Sequence, residues 1–263
     1  MPAGDPPISF NRLVRLLVTF TVAVLLIRLV IGLFTGGGGG SAAPSPSATP
    51  SRVEKRSQRE LPRCSRDEKR VKFGEYTQWA SSLLDTSFAL KSSYEPTDLV
   101  PVNQAGFDGD FSVRRLMIED LSSLRAAADE AGNPVDIAAA YRSYTAQDSL
   151  YRRRVQTEGV GVAKAKTALP GHSEHQLGTT VDFKTAGQLD VDAAWESTPA
   201  GKWMSKEAWK YGFVMSYPAG ESRKTCYWYE PWHYRYFGVE KAREIHGSGL
   251  TVREFLWNEM SLE

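Results

Sequence analysis

Residues 13–34, LVRLLVTFTVAVLLIRLVIGLF, constrain this chain more than any other stretch, because so long an apolar run has no place in a water-soluble core of ordinary size. At about 1.5 Å of rise per residue the run makes about 33 Å of helix, enough to cross a bilayer. Arg15 lies near its start and Arg28 six residues from its end, so both stems can reach the headgroups. Basic residues lead, and no acid follows until Glu54. The positive-inside tendency then leaves residues 1–12 in the cytoplasm and everything after residue 34 outside. A cleaved signal peptide is the competing reading, with Leu16 to Ile27 as its apolar region and SAAP near residue 41 as the cleavage site. The apolar run continues past Arg28, which favours an uncleaved anchor. Both readings export the remainder.

Residues 35–63 open with TGGGGGSAAPSPSATPS, a flexible linker with nothing to bury, spanning on the order of 30 Å root-mean-square. The folded part is therefore expected over residues 64–263. Residues 1–63 carry eight Arg/Lys against three acids; taking these from totals of 32 and 31 leaves 24 basic and 28 acidic side chains for the rest. A mildly acidic domain argues against nucleic acid. Two cysteines, Cys64 and Cys226, form an even pair in an exported chain and read as one disulfide. It would pin the start of the domain close to Glu230.

Periodicity predicts helices at 75–90, 110–131, 146–159 and 199–212, the last two ended by Gly159 and Gly212, with two more closing the chain. Residues 135–144 are predicted to start as a short strand, and further strands are predicted at 179–183, 213–217 and through the aromatic run 226–238. This is an α+β domain, a small, mainly antiparallel sheet flanked by helices. Arg152, Arg153 and Arg154 run around one helix and read as solvated. The aromatic run could form a sugar-stacking platform, but reads better as core.

The chemistry gathers in PGHSEHQLGTTVDF, residues 170–183. Val181 and Phe183 share one face of a strand and leave Asp182 on the other, where a buried carboxylate needs a partner or a metal. His175 lies just before, separated by Gly178, which allows the chain to turn. A catalytic zinc takes three protein ligands and an open position, so two are too few. His233, in YEPWHYRY, supplies a third, and Pro231 interrupts the strand so that Glu230 can turn toward the same place. A core histidine in an aromatic strand is the plain alternative for His233. His172 reads as an exposed loop histidine, and alternatively as a residue lining the cleft.

PGHSEHQLGTTVDF and YEPWHYRYFG together resemble the paired signature of the VanY-type zinc D-alanyl-D-alanine carboxypeptidases, Ser-x-His-x-x-Gly-x-x-x-Asp followed by Glu-x-x-His. Ser173, His175, Gly178, Asp182, Glu230 and His233 fill every position, and AAYRSYTAQ is similar to the family's Tyr-Arg-Ser segment. The resemblance implies one zinc per chain on His175, Asp182 and His233, with Glu230 as the general base. It implies that Arg142 pairs with a substrate carboxylate or polarises the scissile carbonyl, and that Gln147 and Ser173 add hydrogen bonds to the substrate's end. The implied substrates are peptidoglycan stem peptides, and no obligate protein partner is evident. L,D-carboxypeptidase, crosslink endopeptidase and non-catalytic wall-binding domain are the alternatives.

Overall fold

The computed structural model describes residues 60–65, 78–189 and 191–260. The expected cytoplasmic segment, the anchor 13–34 and nearly all of the linker lie outside these residues. No helix among the described residues is long and apolar enough to cross a membrane.

A two-stranded antiparallel ribbon, β1 (Leu99–Pro101) with β2 (Ser112–Arg114), leads into helix α1 (Ile118–Glu130). Then follow β3 (Val135–Ala139), α2 (Tyr144–Lys166), β4 (Thr180–Thr185), α3 (Pro199–Glu207), β5 (Phe213–Met215), the short α4 (Ser222–Thr225), β6 (His233–Tyr236), α5 (Val239–Ser248) and α6 (Val252–Glu259). The main sheet is antiparallel throughout, in the order β3-β4-β6-β5.

Alternation along the two central strands separates their faces. Val181, Phe183, Tyr234 and Tyr236 enter the main core with Met117, Leu121, Leu124 and Phe213. Asp182, His233 and Arg235 therefore belong to the opposite face, and that face is buried too. It is covered by the 3-10 turn Glu174–Leu177 and by residues 78–90, whose Trp79 and Ser82 carbonyls accept from Arg235.

Three expectations fail on local grounds. Residues 78–90 form turns, not a helix: Asp85 Oδ1 accepts from the N–H groups of Ser87 and Phe88 at 2.6 and 2.8 Å, which closes the backbone on itself. The apolar residues of this segment then serve two separate clusters, Leu83 and Phe88 in one, Leu84 and Leu90 in the other. The helix expected from residue 110 begins only at Ile118, because Val113 and Arg114 pair with β1 and Arg114 is held by Asp98 at 2.9 Å. Leu116, which the helical stripe would bury, is 36% exposed. The strand expected from residue 226 begins only at His233: Cys226 has a φ of 72° and the His233 N–H turns back onto the Glu230 carbonyl. Gly159, with φ 83° and ψ 161°, ends the first part of α2 as expected, and a further helical segment follows to Lys166.

Cys64 and Cys226 are joined in a disulfide with their Cα atoms 5.3 Å apart. Nearby, Arg253 donates to the Pro62 carbonyl and Trp257 to that of Glu60, so residues 60–65 are fixed against α6.

Candidate metal centre

The register of β4 against β6 sets Asp182 directly opposite His233. His175 reaches them from the 3-10 turn, whose N-cap Ser173 accepts from the His175 N–H and whose C-cap Gly178 has a φ of 74°. Only glycine takes that conformation without strain. One ligand atom from each of His175, Asp182 and His233 falls within 4.8 Å of the others, and all three residues are buried.

The two imidazoles are held by different nitrogens. His175 Nδ1 lies 2.7 Å from the Ala140 carbonyl, so Nδ1 carries the hydrogen and Nε2 faces Asp182 Oδ2 at 3.3 Å. His233 points Nδ1 at Asp182 Oδ1, 3.1 Å away. That contact is proximity without hydrogen-bond geometry, and Asp182 Oδ1 is left buried with no donor. Each imidazole nitrogen thus faces its own oxygen of the Asp182 carboxylate, at 3.3 and 3.1 Å. Two imidazoles and a carboxylate are a zinc donor set with one position left open.

Charge points the same way. Burial alone would depress the His233 pKa, yet Asp182 and Glu174 overcome it and push it up to about 10. Burial likewise works against the Asp182 carboxylate, but the two histidines hold its pKa well below the usual range. The pocket demands positive charge between these groups, which a divalent cation meets.

Glu230 lies 3.6 Å from His233 Nδ1, on the turn that Pro231 completes, with its N–H bonded to the Tyr217 carbonyl. Burial, with Asp182 adding, pushes its pKa up to about 7 against the opposing pull of His233 and Arg142. Arg142 donates its backbone N–H to the His175 carbonyl and its Nη1 to Gln147 Oε1 at 2.9 Å. Gln147 in turn donates to the Ala168 carbonyl at 2.7 Å, so its amide holds the guanidinium in place. Arg142, Gln147, Ser173, His175, Asp182, Glu230 and His233 all line one cleft of about 730 Å³.

The structure adds residues that sequence patterns missed. Tyr217 lines the cleft, its ring 4.7 Å from that of His233, and burial with the Glu174 charge pushes its pKa well up, so it stays a donor. Arg154 also lines it rather than standing in solvent with Arg152 and Arg153. Trp228 is 48% exposed at the rim, while Tyr227, Tyr234, Tyr236 and Phe237 are buried, so the aromatic run divides between cleft and core. His172 is buried, not exposed, and its Nδ1 lies 2.6 Å from the Asp85 carbonyl, away from the cleft. Glu174 is buried against His233 and Arg235.

A profile of the VanY D-alanyl-D-alanine carboxypeptidase family matches residues 110–239. YodJ of Bacillus subtilis is 35% identical over 66% of this chain and 66% of its own length. The chain thus spans about two thirds of that relative. Among solved structures, the LD-carboxypeptidase LdcB is 35% identical with a TM-score of 0.61, over 66% of this chain and 83% of that one. VanY from the VanB-type resistance cassette, in complex with Zn(II), is 26% identical with a TM-score of 0.58, over 68% of this chain and 99% of that one.

Proposed function

Because the chain belongs to the VanY-type family of zinc D-alanyl-D-alanine carboxypeptidases, we propose that it removes the terminal D-alanine from peptidoglycan stem peptides. One observation carries the reading: His175, Asp182 and His233 converge within 4.8 Å in a cleft that also holds Glu230 and Arg142. His175 through Nε2, His233 through Nδ1 and Asp182 hold one zinc ion. The chemistry such an ion supplies is Lewis acidity and a water acidified to about pKa 7.

The protein's own groups do the rest. The Arg142 fork, steadied by Gln147, pairs with the peptide's terminal carboxylate or polarises the scissile carbonyl. Ser173 and Tyr217 offer hydroxyls to the same end of the peptide. Glu230 takes a proton from the attacking water as the oxygen bonds to the carbonyl carbon. It returns that proton to the amine as the C–N bond breaks, so the carboxylate is regenerated. A carboxylate raised by burial suits both tasks near neutral pH.

The apolar run 13–34 supports a chain anchored in the cell membrane with its catalytic domain outside, on the side where peptidoglycan lies. L,D-carboxypeptidase action is the second reading, favoured by identity of 35% to LdcB against 26% to VanY. Incubation of the purified chain with a muramyl pentapeptide ending in D-Ala-D-Ala, and with the matching tetrapeptide, separates the two. Release from the pentapeptide, abolished by chelation and restored by zinc, is expected. Release from the tetrapeptide alone would move the specificity to L,D, and release from neither would remove the carboxypeptidase reading.

A further inference from the structure

Strand β6 carries His233 and Arg235 on its non-core face, and both reach a carboxylate that is not among the three ligands. Glu174 is 3% exposed, and three donors converge on it. Its Oε2 faces His233 Nε2 at 3.0 Å and accepts from Ser216 Oγ at 2.6 Å, while Oε1 accepts from Arg235 Nη1 at 3.0 Å. Arg235, fully buried, continues to the carbonyls of Trp79 and Ser82 at 2.6 and 2.8 Å.

An ionised carboxylate only accepts, so the imidazole nitrogen that faces it must carry the hydrogen. Nε2–H of His233 is thereby fixed and Nδ1 is left as the nitrogen that would give up its hydrogen to a metal ion. Nδ1 is also the atom that faces Asp182 and Glu230. His175 makes the opposite choice, with Nδ1 on a neutral carbonyl and Nε2 on Asp182. The two ligand histidines therefore differ in coordinating nitrogen, and one is oriented by a charged acceptor, the other by a neutral one.

We propose that Glu174 is a positioning residue of the metal centre, selecting the Nε2–H form of His233, aiming Nδ1 at the ion and tying the ring through Arg235 to residues 79–82. This rests on the zinc reading and extends it. Arg235 neutralises Glu174, so the carboxylate can polarise the imidazole without leaving an unpaired charge in the interior. Glutamine has nearly the same shape but cannot replace it. Its amide NH2 would meet Arg235 or the His233 Nε2–H donor to donor, and the simplest relief is for His233 to move its hydrogen to Nδ1, where it blocks the ion.

Long-range ¹H–¹⁵N spectra of the histidine rings in the zinc-loaded wild-type chain read this directly. The expected result is a protonated Nε2 and a metal-bound Nδ1 on His233, with the reverse on His175. Chelator competition supplies the second reading: Glu174→Gln should weaken zinc binding 10–100-fold, the usual effect of removing such an outer partner. The double variant Glu174→Leu/Arg235→Met removes every acceptor at this position together with the buried charge that would be left unpaired. It is expected to be more stable than Glu174→Gln while binding zinc as weakly. Coordination of zinc through His233 Nε2, or wild-type affinity in a folded double variant, would overturn the proposal and leave the zinc reading standing. A wild-type chain that takes up no zinc would overturn both.

Discussion

Gly178 closes the turn that presents His175, and replacing it with alanine tests whether that turn is as tightly determined as it looks. Its φ of 74° is a left-handed conformation, which costs an L-residue roughly 1–2 kcal/mol. Crowding adds to this. A Cβ there would lie 3.0 Å from Arg114 Cγ, 3.1 Å from Leu99 Cδ2 and 3.1 Å from Pro96 Cγ, inside ordinary carbon contact on three sides. Overpacking of this kind costs about 1–3 kcal/mol, so Gly178→Ala should destabilise by about 2–5 kcal/mol in all. Gly132 is the control: its φ is 71°, but nothing lies within 4 Å of an added Cβ, so Gly132→Ala should show the conformational cost alone. Urea unfolding of both variants, with zinc and with chelator, measures the difference. The Gly178 N–H donates to the His175 carbonyl at 3.2 Å and Arg114 donates to the Gly178 carbonyl at 2.9 Å. Distorting these bonds moves the imidazole, so Gly178→Ala should also lose part of the stabilisation that zinc gives wild type. If Gly178→Ala costs no more than Gly132→Ala, the crowding argument is wrong.

Arg142→Lys keeps the charge but loses the planar fork that Gln147 holds, so kcat/KM should fall at least 10-fold with zinc content unchanged, as steady-state kinetics and metal analysis will show. Cys64 and Cys226 are 162 residues apart in sequence, and replacing both with serine should cost about 2–4 kcal/mol, read as a lower urea midpoint. Burial raises the Glu254 carboxyl, but its bonds to Thr251 and Lys224 outweigh that and hold the pKa below the usual value. Its contribution to stability is therefore complete above the unfolded carboxylate pKa and is lost as pH falls through the lower folded one. Urea midpoints of wild type and Glu254→Gln should accordingly differ at neutral pH and converge in acid.

Much of the centre could be read from spacing because it is built on local devices. Strand alternation around Asp182, a glycine where the chain reverses and a proline beside Glu230 are each visible in a few residues. Gly159 and Gly212 likewise stop helical segments where the sequence indicates. The failures share a different cause. Residues 78–90 have helical apolar spacing, but Asp85 bonds its own backbone and Arg253, and the apolar side chains divide between two clusters. Val113 and Arg114 are drawn into a ribbon by a partner strand, which no pattern within the helix window reports. Glu174, Tyr217 and Arg154 owe their roles to groups 16 to 76 residues away in sequence, and a single sequence carries no signal of those meetings. His172 was misjudged for the same reason, since its partner is the carbonyl of Asp85.

The central claim is a division of labour in which His175, Asp182 and His233 hold the metal while Glu230 moves the proton. Metal analysis together with D-alanine release from the pentapeptide, on wild type and Glu230→Gln, tests it most directly. The account predicts one zinc per chain in both proteins and a kcat lowered about 10²–10⁴-fold in the variant. A variant that keeps wild-type kcat, or an inactive variant that has also lost its zinc, would contradict it.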